Sequence, residues 1–378
     1  MKAKERELAF VLGLPFHVST MDQAIEDAVI HIESRKPGYF ITANADFIAQ
    51  AYENETLKDI LFHADRVVCD GMPLVWLSRI FKPRLPERVT GADMVFRLFE
   101  EADKRSWKVF FLGSDEDTLS KTKSILGDQY PKMKIVGTIS PPFGTIESWP
   151  NTEILKDIKN TQPDLLLVAV GCPKQEYWIS KYKDESRIPL SIGIGASLDF
   201  ICGKQIRAPK IVQRIGMEWM WRLLTNPTRL FKRYSKDLYY ILLLGYRQWK
   251  LTREPSKLTE LSEVKIGKKC ECCESLGVSE IIWSGSVERS SISDLAQPED
   301  YKNAVFLNLK NVLFIDSSGI GELAKIARKC RQEQVPFAVL EPSDVVFNVI
   351  KNMHLETQFP CFESCEDAVE NFRKEIEI

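Results

Sequence analysis

Histidine is scarce in this chain. There are four among 378 residues, at positions 17, 31, 63 and 354, and none adjoins the motifs described below. That removes the His-Glu-x-x-His zinc signature and any histidine general base at those motifs. No Gly-x-Gly-x-x-Gly follows the first strand of the alternating region, and no Walker A loop or Gly-x-Ser-x-Gly elbow occurs. A fingerprinted dinucleotide enzyme, a P-loop ATPase and an elbow-type esterase are thereby excluded. No Asp-x-Asp is read as holding a divalent metal on a pyrophosphate. Bound phosphates would then have to be neutralised by arginines and backbone N–H groups. No apolar run approaches the roughly 20 residues that span a bilayer; Leu238–Tyr246 is nine residues long. The nine cysteines are odd in number and scattered. Cys270, Cys272 and Cys273 lack a fourth ligand at zinc spacing and read as free thiols. The apolar patch Leu8–Leu14 is too brief for a signal peptide, so a reducing cytoplasm is the expected setting.

A length of 378 residues with 44% hydrophobic and 28% charged residues fits a soluble chain of two domains. The net charge of −2 is unevenly spread: residues 204–253 hold twelve Lys/Arg against two acids, Glu218 and Asp237. Such a basic stretch calls for an anionic partner, whether nucleotide phosphate, lipid or nucleic acid. From residue 38 to about 195, short apolar strands alternate with amphipathic helices. The strands are expected at Tyr39–Ala43, Arg66–Cys69, Lys108–Leu112, Lys134–Thr138, Asp164–Val170 and Pro189–Ile194. Helices are expected at Asp46–Asn54, Met72–Ile80 and Thr90–Lys104, the last opened by a Thr90/Asp93 capping box. This alternation predicts an α/β fold with a parallel sheet covered on both faces, whose ligands sit outside the carboxyl ends of the strands. Residues 211–250 are helical and basic. Leu238–Tyr246, flanked by Lys232, Arg233, Lys236, Arg247, Trp249 and Lys250, predicts an interfacial helix on an anionic membrane. The competing reading is a helix docked on the sheet with a solvated basic face. A polar linker is expected over 251–264. A second, acidic α/β domain follows over 265–378, with strands at Ile281–Trp283, Ala304–Leu309 and Phe337–Leu340 and helices near Ile320–Gln334 and Asp344–Met353.

The residues suited to chemistry cluster at the expected strand ends. Asp70 closes one strand and precedes Gly71, a placement that suits a base as well as a helix cap. Thr42 and Asn44 end the preceding strand. Arg88 stands before a helix N-terminus, where an anion is favoured. Gly171–Trp178 brings Gln175 and Glu176 to the same mouth. Asp199, in Gly193–Gly203, competes with Asp70 for the role of base. Gly193 and Gly195 allow backbone to approach a ligand closely, and Arg222 and Arg229 follow on helices. Glu218 is the expected ion-pair partner of nearby arginines.

Taken in order, Thr42-Ala-Asn44, Asp70-Gly71, Arg88-Val-Thr-Gly-Ala-Asp93, Pro173-Lys-Gln-Glu176, Gly193–Gly203, Arg207-Ala-Pro209, Glu218-Trp219 with Arg222, and Pro227 with Arg229 resemble the WecG/TagA/CpsF glycosyltransferase family. The resemblance runs from about Leu12 to Lys250. It implies a Rossmann-like glycosyltransferase domain over 1–250, with 204–250 as a basic, partly membrane-facing appendage. It also implies an inverting, metal-independent enzyme without cofactor. That enzyme would move N-acetylmannosamine or a related hexose from a UDP-sugar to an undecaprenyl-diphosphate-linked sugar. By the same match Asp70 is the base. Thr42, Asn44, Arg88 and Gln175 shape the sugar pocket, with Asp199 and Arg207 beside them, and Arg222, Arg229 and one of Lys232-Arg233 close over the diphosphate. Ile211 departs from the pattern, which often has an aromatic residue after Arg-Ala-Pro.

Val312–Gly321 reads as a strand, a turn and a helix start, and segment 278–372 resembles a STAS (anti-anti-sigma factor-like) domain. That resemblance implies a regulatory phosphoserine at Ser317 beside Asp316, and a protein partner or kinase acting there. The combined expectation is a bacterial polysaccharide glycosyltransferase, cytoplasmic and peripheral on the inner face of the plasma membrane, with no nucleic-acid partner. The alternatives are a non-catalytic sugar-nucleotide sensor acting through STAS partner switching and, less well matched, a nucleotide-dependent oxidoreductase.

Overall fold

The computed structural model describes residues 6–80, 83–205, 207–214, 216–225, 227–253, 279–287 and 304–376. The cysteine cluster at 270–273 and most of the expected linker lie outside them. The chain divides into two compact units. One comprises Met1–Arg6, Phe16–Trp76 and Leu85–Tyr240; the other comprises Glu7–Pro15, Leu77–Arg84 and Ile241–Ile378. The strands are β1 Leu8–Val11, β2 Leu14–His17, β3 Tyr39–Ala43, β4 Arg66–Cys69, β5 Lys108–Gly113, β6 Lys134–Ile139, β7 Leu165–Ala169, β8 Leu190–Gly193, β9 Ser279–Val287, β10 Val305–Ile315, β11 Phe337–Leu340 and β12 Cys361–Phe362.

In the first unit, β3 to β8 form one sheet in the order β4-β3-β8-β7-β5-β6, with every pairing parallel. The unbroken Leu165-Leu-Leu-Val168 sits at 0% exposure in the sheet's middle, because a central parallel strand is covered by helices on both faces. The edge strand β6 is less buried throughout. Helix Gly91–Arg105 shows how local sequence sets position. Thr90 Oγ1 accepts from the Asp93 N–H at 3.0 Å. The hydroxyl in turn donates to the Asp93 carboxylate at 2.6 Å, so the Asp93 side chain answers the cap hydroxyl. Such a cap contributes about 1 kcal/mol. Val95, Leu98, Phe99 and Ala102, at helical spacing, bury the inner face. The helix is thus anchored with its first N–H groups at the end of β4.

In the second unit, β9 to β12 form a parallel sheet in the order β12-β11-β10-β9. Asp316 caps helix Ser317–Gln332, accepting from the N–H groups of Ser318 at 2.8 Å and Gly319 at 2.9 Å. This helix packs against β1. At Gly321 a Cβ would meet the Leu8 carbonyl oxygen at 3.0 Å, so a larger residue would push that strand away. The same unit takes in the last turns of helix Pro227–Arg253, from Ile241 onward. From these turns Gln248, 3% exposed, accepts from the Leu12 N–H at 2.7 Å. Its amide donates to the Phe10 carbonyl at 2.8 Å and to the Ser317 hydroxyl at 3.2 Å. Among the described residues no helix is long and apolar enough to cross a membrane.

Candidate active site

The carboxyl ends of β4, β3, β8 and β7 open into one cavity of about 880 Å³, wholly within the first unit. That volume suits a nucleotide-sized ligand. Thr42, Asn44, Asp70, Arg88, Gln175, Arg207, Arg222 and Arg233 all line it. Residues more than 190 positions apart therefore meet at the place where a parallel sheet offers its strand ends. Asp199 is the exception. It is not among the lining residues, and its carboxylate accepts from Gln205 Nε2 at 3.1 Å. Arg229 lies on helix Pro227–Arg253, and its side chain falls outside the described ones.

Asp70 follows β4 directly, and its own N–H is held by the Ala43 carbonyl at 2.9 Å. Its carboxylate accepts from the Gly91 N–H at 3.1 Å, so it faces the helix entering from across the cavity. Burial pushes this carboxyl above its ordinary range; the Gly91 N–H, Arg222 and Arg88 pull it back only in part. Asn44 uses its side-chain oxygen to cap helix Ala45–Glu53, accepting from Phe47 N at 3.0 Å. Its amide NH2 is the donor it can offer the cavity. Gln175 is held from two sides: its oxygen accepts from the Gly195 N–H at 3.0 Å, and its amide donates to Glu176 at 2.8 Å. Gly193 makes room for it, since a Cβ there would lie 2.4 Å from the Gln175 amide nitrogen.

The cations gather on one side. Glu218, buried, pairs with Arg88 at 3.2 Å and Arg222 at 2.8 Å. That is the role its isolation in a basic stretch predicted. Arg207 pairs with Asp93 at 2.7 Å, while its Nε and Nη2 are buried without a hydrogen-bond partner. The guanidiniums of Arg207 and Arg222 lie 5.9 and 5.5 Å from the Phe200 ring centroid. Phe200 escaped the sequence reading, because a lone aromatic residue gives no periodic or charge signal. Asp46 and Asp237, also on the cavity wall, escaped it too, although Asp237 is one of only two acids in the basic stretch.

Arginine nitrogens without partners and a raised carboxylate in one cavity suit an anionic ligand that reacts beside a base. Among the described residues no group of three or more His, Cys, Asp or Glu is placed to hold a metal. The Asp-x-Asp of Asp115-Glu-Asp117 is engaged by Lys204, at 2.9 and 3.5 Å. In the second unit Ser317 lies at the start of its helix, as the turn predicted, but it is 6% exposed and covered by Gln248.

Residues 9–255 match the Glycosyl transferase WecG/TagA/CpsF family, and residues 282–368 match the STAS domain. Similar proteins include N-acetylglucosaminyldiphosphoundecaprenol N-acetyl-beta-D-mannosaminyltransferases. That of Bacillus subtilis is 30% identical over 244 residues, covering 64% of this chain and 93% of its own length. That of Bacillus spizizenii is 29% identical, over 60% and 89%, and that of Staphylococcus aureus is 27% identical, over 61% and 89%. With the family match spanning well over half its length, the chain belongs to the WecG/TagA/CpsF glycosyltransferase family and carries a C-terminal STAS domain.

Proposed function

We propose that this chain transfers N-acetylmannosamine, or a closely related hexose, from a UDP-sugar to an undecaprenyl-diphosphate-linked sugar in cell-surface polysaccharide synthesis. The observation that carries this reading is Asp70. It is a half-buried carboxylate with a raised pKa, in the same cavity as Arg88, Arg207 and Arg222. Asp70 takes the proton of the acceptor hydroxyl as that oxygen attacks C1 of the donor sugar. The C1–O bond to UDP breaks, and its electron pair goes to the departing diphosphate, so the anomeric centre inverts. UDP leaves well without a proton, and one base suffices where glycosidases need two carboxyl groups. The growing negative charge falls to the arginines, which are fixed in place before the reaction by Glu218, Asp93 and Phe200. Arginine neutralisation also supports a reaction that needs no metal and no cofactor.

The acceptor is lipid-linked in this reading. Helix Pro227–Arg253 leaves Phe231, Leu238 and Tyr239 exposed in its first half, alongside Lys232 and Lys236. Apolar and cationic side chains together on one helix suit a peripheral seat on an anionic membrane. The STAS domain would regulate or dock the enzyme through a protein partner.

The test is product formation and UDP release with UDP-N-acetylmannosamine and an N-acetylglucosaminyl-diphosphate-lipid, with EDTA present. Wild type should turn over, and Asp70→Asn should lose about a hundredfold or more in turnover while still binding UDP. Unchanged turnover in that variant would move the base elsewhere, and loss of activity in EDTA would overturn the metal-free reading.

A further inference from the structure

The cavity has a second polar wall that the base and the phosphate-facing arginines do not use. Asp46, Cys172, Glu176, Arg233 and Asp237 form it. Arg233, one of the cations the resemblance offered for the diphosphate, instead pairs here with Asp46 at 2.9 Å. Asp237 is 6% exposed, and its Oδ1 has no hydrogen-bond partner. Glu176, equally buried, takes the Gln175 amide on Oε1, and beyond that amide only the Cys172 thiol, a weak donor, serves its carboxylate. Asp237 Oδ1 thus lacks a donor and Glu176 is under-supplied, although buried polar atoms are nearly always satisfied. A ligand bringing O–H or N–H groups would complete both.

The charge of this wall says which part of a substrate it takes. Three carboxyl groups stand here beside the single guanidinium of Arg233, which is already paired, whereas Arg88, Arg207 and Arg222 elsewhere on the lining offer a phosphate its cations. A neutral polyol has donors in abundance and no charge to repel. Desolvation, with Asp46 close by, holds the Asp237 carboxyl up at about 7, and burial raises that of Glu176. Both groups therefore sit where water is largely excluded. Asp237 also lies on the helix whose outer side exposes Phe231, Leu238 and Tyr239. A lipid-linked sugar approaching along that helix meets its buried face next.

We infer that Asp237 and Glu176 bind the hydroxyl groups of the acceptor sugar and so give the enzyme its preference for a sugar-bearing lipid diphosphate. This rests on the transferase reading for the identity of the acceptor, but its test does not depend on turnover. The full chain is titrated by calorimetry with three probes: a soluble N-acetylglucosaminyl-diphosphate-alkyl compound, the same alkyl diphosphate without sugar, and UDP. Wild type should bind the sugar-bearing compound more tightly than the sugarless one. Asp237→Asn should weaken the sugar-bearing compound by about tenfold at about pH 8, where the Asp237 carboxyl is ionised and its hydrogen bond is charge-assisted, and leave the other two within about twofold. Glu176→Gln should move the same probe in the same direction.

Equal affinity of wild type for the two alkyl compounds, or an Asp237→Asn variant that loses UDP as much as the sugar-bearing probe, would overturn the subsite. Failure of the donor reading looks different. Wild type would then turn over no UDP-sugar, yet the selective loss in Asp237→Asn would persist.

Discussion

Asp70 has a burden that its position explains. A carboxyl whose pKa is raised by desolvation prefers to be neutral in the folded protein, whereas the unfolded chain ionises it at the ordinary value. Between those two values the unfolded state holds fewer protons, so stability falls as pH rises through the window. Ionised Asp70 therefore destabilises the fold at neutral pH, and Asp70→Asn should raise the melting temperature at pH 8 while changing it little at pH 4. A variant no more stable at pH 8 would mean that Arg88, Arg222 and the Gly91 N–H compensate the charge in full. Catalysis follows the opposite slope. A base must be deprotonated, so turnover should drop as pH falls through an apparent pKa above the usual carboxylate range, and a profile flat down to pH 4 would count against Asp70. At this scale the sequence showed the strand-end residues, because position after a short apolar strand is local information. Phe200 and Asp46 were not legible. What makes them part of the site is a contact across the cavity, and nothing in their own neighbourhoods announces it.

At the scale of elements, the apolar runs Tyr39–Ala43, Arg66–Cys69 and Phe337–Leu340 become strands with the expected bounds, since buried parallel strands read as continuous apolar segments. Turn geometry explains the miss at Leu8–Leu14. That patch holds β1 and the start of β2, joined through Leu12 and Gly13, both at positive φ (56° and 81°). Four-residue strands joined by a leucine in the left-handed region give no turn signal of the Asn-Gly kind. Helix Pro227–Arg253 was legible as basic and amphipathic, but not as one continuous element of 27 residues. Its outer side carries the membrane expectation. Replacing Leu238 and Tyr239 by Asp puts two carboxylates where 55% and 60% of each side chain's residue surface is exposed, so the fold should tolerate both. Co-sedimentation with vesicles of anionic lipid should fall by about tenfold or more, with UDP affinity unchanged. Equal sedimentation of variant and wild type would make that side a plain solvated surface.

For the whole molecule, the two family segments were legible, but the compact units do not follow their borders. The second unit gathers β1 and the end of helix Pro227–Arg253, both from the transferase segment, around the start of helix Ser317–Gln332. Gln248 is the knot: one buried amide joins the Leu12 N–H, the Phe10 carbonyl and the Ser317 hydroxyl. The STAS resemblance implied a regulatory phosphate on Ser317. A phosphate of about −2 charge would here enter a site 6% exposed, next to Asp316, whose carboxylate already holds the first helix N–H groups. Modification at Ser317 should therefore oppose this packing, and a charge at 317 should release the transferase segment's first strand and last helical turns. Ser317→Asp mimics part of that charge. Hydrogen exchange of the Leu12 amide should speed up by about tenfold or more in Ser317→Asp, whereas Ser317→Ala, which keeps both remaining Gln248 bonds, should change it by about threefold at most. Exchange at Leu12 that is equally slow in all three proteins would show that the site absorbs the charge in place, and the packing would then be indifferent to the state of Ser317.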